Sequence, residues 1–114
     1  MILQGKAKDF FIKWLCYGND GNSNILRSTK LTTANFIALK ESCQNALIIE
    51  WFDSVGIYIS DWGLNVVDNE IGFDCQINYN FKLISVSDNF FKTRQEAIEK
   101  AIEKANEIYN NLNL

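Results

Sequence analysis

Leu3, Ala7, Phe10, Phe11, Trp14 and Leu15 fall on one stripe of a 3.6-residue repeat, which predicts a first helix with a continuous apolar face. Lys6, Lys8 and Lys13 lie off that stripe, and Gly18 offers a stop. The run Gly18-Asn19-Asp20-Gly21-Asn22-Ser23-Asn24 is turn chemistry throughout and predicts a loop. A second helical region starts at Thr32 or Thr33, either of which can cap it, and carries Phe36, Leu39, Cys43, Ala46, Leu47, Trp51, Phe52 and Val55. Its apolar phase drifts near Ser42, where a second cap is available, so one long helix and two shorter ones fit equally well. The stretch Ala46 to Phe52 also fits a buried strand; helix, closed by Gly56, is the favoured reading.

Past Gly56 the period changes to two. Ile57 and Ile59 alternate with Tyr58 and Ser60, which predicts a first strand. Asp61 to Gly63 and then Asp68-Asn69-Glu70 read as a turn-rich connection. In the clearest strand of the chain, Phe73, Cys75, Ile77 and Tyr79 alternate with Asp74, Gln76, Asn78 and Asn80. A third strand carries Phe81 to Val86. Thr93-Arg94-Gln95-Glu96 is a capping box, and Ala97, Ile98, Ala101, Ile102, Ala105, Ile108, Tyr109 and Leu112 continue it as an amphipathic helix. The predicted fold is α+β in two layers: a three-stranded antiparallel meander covered by N-terminal helices and a long C-terminal helix.

The 114 residues suit a single domain spanning 1–114, and a hydrophobic fraction of 47% with 22% charged residues is ordinary globular composition. Eight Phe, four Tyr and three Trp are a heavy aromatic load for a small core. Some of these rings are therefore expected to line a groove or a subunit contact. No apolar run has the length a membrane span needs, and the N-terminus lacks the pattern of a signal peptide. Cys16, Cys43 and Cys75 form neither a disulfide framework nor a metal pair, which fits a reducing cytoplasm and buried, inert thiols.

Charge is unevenly placed. Residues 1–40 carry six basic and two acidic side chains, whereas residues 41–81 carry seven acidic ones and no Lys or Arg. Such a one-signed stretch favours a cationic partner and disfavours direct contact with nucleic acid, whose phosphates need Lys and Arg.

The chain has no histidine, which removes Ser-His-Asp and Cys-His catalysis and His-containing zinc sites. No glycine-rich phosphate loop is present, and no cofactor is expected. The string from Asp20 begins like a calcium loop but fails at Ile25, where glycine is needed, and at Leu31, where a bidentate Glu is needed. Asp61, Asp68, Glu70 and Asp74 could gather at one end of the sheet, either as a solvated acidic surface or as a divalent-ion or acid–base site. Asp53, in the last turn of its helix, and Arg94, in the first turn of another, each oppose the local dipole, so the two are expected to pair or to contact a partner. Trp51 is expected in the core. Tyr58 and Trp62 flank the acidic stretch as candidate contacts for a cationic partner, with Trp62 in a turn and exposed.

Trp51-Phe52-Asp53-Ser54-Val55-Gly56-Ile57 and Lys92-Thr93-Arg94-Gln95-Glu96-Ala97, continuing to Glu107-Ile108-Tyr109-Asn110, resemble short proteins of gut Bacteroidetes and their bacteriophages. In those proteins a similar string precedes the strands and a similar helix closes the chain; the likeness covers this chain from about Ser42 onward. It implies a phage or mobile-element origin in a bacterial cytoplasm, not an activity. The expected function is non-enzymatic: binding a host or phage protein with a basic surface, as an inhibitor of host defence for example, through Asp53, Tyr58, Asp61, Trp62, Asp68, Glu70, Asp74 and Arg94. The alternatives are a self-associating structural phage component, with homodimerisation absorbing the aromatic surplus, and a small carboxylate-based, metal-dependent enzyme.

Overall fold

Four helices and three strands follow one another as α1 (Gly5–Tyr17), α2 (Thr33–Ile37), α3 (Glu41–Ser54), β1 (Ile57–Val67), β2 (Glu70–Tyr79), β3 (Lys82–Ser85) and α4 (Arg94–Asn110). The computed structural model describes residues 1–18, 30–86 and 90–112, without the side chains of residues 62–65 and 67. The loop expected beyond Gly18, and the calcium-like string within it, lie outside the described residues.

The apolar stripe of α1 is buried at Ala7, Phe11, Trp14 and Leu15, and the helix stops where Gly18 turns left-handed (φ 79°) and donates its N–H to the Trp14 carbonyl at 2.9 Å. Its N-terminus has no local cap, because the Gln4 side chain caps nothing. Two asparagines of α4 act instead. Asn110 Oδ1 accepts the Ala7 N–H at 2.8 Å, Asn110 Nδ2 donates to the Gln4 carbonyl at 3.0 Å, and Asn106 Oδ1 accepts the Gln4 N–H at 2.9 Å. The bonds from the Gln4 and Ala7 N–H groups satisfy donors that the first turn of any helix leaves orphaned. Gly5 (φ 64°) makes the approach possible: a Cβ there would stand 3.0 Å from Asn110 Nδ2.

The second helical region is two helices. Thr32 caps α2, its hydroxyl accepting the Asn35 N–H at 3.1 Å. Gln44 then donates from Nε2 to the carbonyls of both Ile37 and Leu39 at 3.1 Å, tying the end of α2 to the first turn of α3. The expected cap at Ser42 is not used: Lys40 holds the cap position, without a side-chain bond. Gly56, at φ 85°, turns the chain into β1.

The strands pair antiparallel in the order β1-β2-β3. The sequence places a turn at Asp61 to Gly63, but β1 runs through it. The register passes from Asp61 opposite Cys75 to Gly63 opposite Asp74, so Trp62 is the extra residue of a β-bulge. The turn falls later, at Asp68-Asn69, and a second falls at Asn80-Phe81; all four residues have positive φ (51°, 65°, 55° and 63°), as two-residue hairpins require. Phe81 is thus a turn residue and not the start of β3. Beyond β3, Phe91 continues the same edge of β2 by exchanging two hydrogen bonds with Phe73, at 2.8 and 2.7 Å.

Helices cover one face of the sheet. Thr93 caps α4, its hydroxyl accepting the Glu96 N–H at 3.1 Å. Ala97 and Ala101 of α4 pack with Cys75 of β2, small side chains letting the helix lie close to the middle strand. α3 rests on β1, while α1 packs on α3 and α4. Trp51 stands at the centre of the resulting aromatic core, with ring centroids 4.9 Å from Phe52, 4.9 Å from Tyr109 and 5.9 Å from Phe11. Phe36 closes on Phe11 at 5.2 Å. Much of the aromatic load is therefore spent on the core. No helix among the described residues is long and apolar enough to cross a membrane.

Candidate binding surface

Because β2 alternates strictly, the pairing fixes what each face of the sheet shows. Cys75, Ile77 and Tyr79 turn toward the helices, and Gln76 and Asn78 toward the other face. Cross-strand partners extend those positions into two rows: Tyr58, Asn78 and Leu83 in one, Ser60, Gln76 and Ser85 in the next. Among the described residues no helix lies over these rows. Tyr58 is 51% exposed and Leu83 68%, so two large, exposed apolar side chains flank a polar one. At the adjoining hairpin tip Phe81 is 99% exposed. Phe90 lies against Gly72, where an added Cβ would come within 2.4 Å of the Phe90 Cβ, and is itself exposed.

The acidic residues do not converge on this face. Asp61 pairs with Arg94, its Oδ2 3.0 Å from the guanidinium Nε, and the guanidinium also stacks over the Phe73 ring at 5.3 Å. The pairing expected between Asp53 and Arg94 is replaced by this one for a geometric reason. Trp51 packs on Tyr109, so α3 ends beside the end of α4, roughly 20 Å along that helix from Arg94. Asp61, opposite Cys75, stands where α4 begins. Both partners are substantially exposed, and such pairs contribute little to stability.

Asp74 is only 9% exposed, and its Oδ1 accepts the Cys75 N–H at 2.8 Å. Asp68 and Glu70 sit exposed at the β1–β2 hairpin, beside the exposed cross-strand pair Val66 and Ile71. Asp53 is exposed at the other end of the molecule, its carboxyl held above the usual range first by partial burial and then by the charge of Glu50. Trp62 is the bulge residue of β1 and not a turn residue; its expected exposure lies outside the described side chains. Among the described residues no three Cys, Asp or Glu side chains gather as a metal site would require.

Sequence reasoning missed Leu83, Phe81 and Phe90. For Leu83 the signal was available: pairing across a tight Asn80-Phe81 turn puts it opposite polar Asn78, on the side away from the core.

The three cysteines differ. Cys75 is buried, Cys16 half-buried and Cys43 exposed, against the expectation that all three are buried. Burial, then the charges of Asp61 and Asp74, push the Cys75 thiol up to about 11, with Arg94 opposing. The unfolded thiol ionises near its ordinary 9.0, so stability that is fully present below that pH declines as pH climbs toward 11. Equilibrium denaturation at stepped alkaline pH should show this decline, and Cys75→Ala should remove part of it. An identical pH dependence in the variant would disprove the assignment.

The architecture is thus two-layer α+β, with no helix among the described residues over one face of the sheet. No protein-family model matches the chain, and comparison with curated proteins and with solved structures finds no match.

Proposed function

We propose that this domain is a non-enzymatic binding module whose open sheet face docks on another protein. The observation that carries the reading is the exposure of Tyr58 and Leu83 on either side of Asn78, on a face over which no helix lies among the described residues. A sheet surface in a small monomer normally carries polar residues outward, and large apolar groups there mark contact sites. The partner is taken to be a protein with a basic surface, since the β1–β2 hairpin at the end of the sheet carries exposed Asp68 and Glu70, and residues 41–81 contain no Lys or Arg. The resemblance to phage proteins of gut Bacteroidetes suggests the setting: a host or phage protein met in the bacterial cytoplasm.

The test is capture from Bacteroidetes lysate at low and moderate salt, using the native chain and the double variant Tyr58→Ala/Ser60→Lys. These two positions lie on the exposed face of β1, outside the core. The native chain is expected to retain a basic protein that is lost as salt rises, and the variant to retain none. Equal capture by both would refute the open face as the docking surface.

A further inference from the structure

We infer that the basic partner proposed above lays an amphipathic helix along the outer end of the β1–β2 hairpin, seated on Val66 and Ile71 and held by Asp68 and Glu70. This seat rests on that reading for its partner and adds a second surface, on the other side of the sheet from Tyr58 and Leu83. The hairpin outruns the elements beside it. β3 partners β2 only from Gln76 to Tyr79, and Phe91 meets β2 at Phe73. α4 begins at the same level, since the Arg94 guanidinium stacks over the Phe73 ring at 5.3 Å. From Phe73 to the turn at Asp68-Asn69 the two strands run on for roughly 13 Å.

Register decides what this projecting ribbon shows. Phe73 and Cys75 pack on the helix side of β2, so Ile71 falls on that side too, and its cross-strand partner Val66 with it. Val66 is 67% exposed and Ile71 57%, because the helix layer stops short of them. Directly opposed side chains have Cβ atoms roughly 5 Å apart, so the two β-branched groups form one apolar ridge. Phe73, one step inward on the same side, packs with the core; the ridge beyond it does not.

Charge selects the occupant. Just past the ridge come Asp68, in the turn, and Glu70, beside it, both exposed. At the inner end of the ridge Arg94 is engaged by Asp61 at 3.0 Å. The ridge thus lies between a neutralised ion pair and an acidic tip, and it suits a segment that is apolar along one stripe and cationic beside it. A helix meets that description better than a strand does. Its backbone bonds are satisfied internally, so side chains alone can seat it, and its residues at i, i+3 and i+4 supply the stripe. A strand would need an unpaired sheet edge.

The probe is a fluorescent amphipathic helical peptide of leucine and lysine, titrated with the native chain and followed by anisotropy. It should bind, more weakly as salt rises, while the same helix with glutamate for lysine should not. Val66→Thr/Ile71→Thr keeps β-branched residues at two exposed strand positions, so it should fold as the native chain does and bind about fivefold more weakly. Asp68→Asn/Glu70→Gln, whose asparagine tolerates the left-handed turn, should also weaken binding and flatten its salt dependence. Glu103→Gln/Glu107→Gln removes two exposed acids from α4 and should bind like the native chain; a loss equal to that of the hairpin variants would mean general attraction and overturn the inference. Absence of binding, or equal binding of a leucine–lysine peptide with strand-forming alternation, would overturn it too. Tyr58→Ala/Ser60→Lys should bind the peptide unchanged. The peptide titration needs no lysate, so its failure leaves the role of the Tyr58 face untouched.

Discussion

Replacing Trp51 with alanine is expected to destabilise the domain by about 3–5 kcal/mol, the range for truncating a fully buried large aromatic. Trp51 is completely buried, and its ring meets Phe11 of α1, Phe52 of α3 and Tyr109 of α4. The cavity left behind is walled by rigid rings on three helices, which leaves little room for collapse. A domain of this size has roughly 5–15 kcal/mol in total, so the variant should be partly unfolded at moderate denaturant and melt well below the native chain. Trp51→Phe keeps part of the ring contact and should lose distinctly less. Chemical denaturation measures both; a loss below about 1 kcal/mol for Trp51→Ala would mean the aromatic core is not packed as described.

The second large effect comes from adding atoms. Ala101→Leu should cost about 1–3 kcal/mol, even though leucine is nearly as good a helix former as alanine. Ala101 is buried where α4 crosses β2, with Ala97 and Cys75 as neighbours, and a larger side chain must lift the helix off the strand. Lys100→Leu, one residue away on the exposed side, is the control and should change stability little. Equal melting of Ala101→Leu and the native chain would show that α4 does not sit close to the sheet.

The elements themselves were legible wherever local chemistry and long-range packing agree. Thr93 caps α4, Gly18 ends α1, and the apolar positions Cys75 and Ile77 of β2 are buried as its alternation predicts, although Asp74 between them and Phe73 is buried too. The Asp61–Gly63 segment misled because aspartate and glycine are turn formers, whereas the strand runs on and absorbs Trp62 as the extra residue of a bulge. The cap of α1 could not be read locally, since its acceptor lies on another helix. The candidate site was half legible. Tyr58 follows from alternation in β1, but its neighbours on the face, and the pairing of Arg94 with Asp61, depend on strand register and helix placement. Neither is encoded in spacing along the chain.

The asparagine bonds that secure the start of α1 set an order of events during synthesis. Ala7 leaves the ribosome early, but the oxygen that receives its N–H belongs to a residue 103 positions later. Until α4 has emerged, the opening turn of α1 can be satisfied only by water, and its apolar stripe has nothing to settle on but α2 and α3. α1 is therefore made before α4 and secured only after it. A nascent chain stalled within α4 should leave this helix open to protease, and the released chain should protect it.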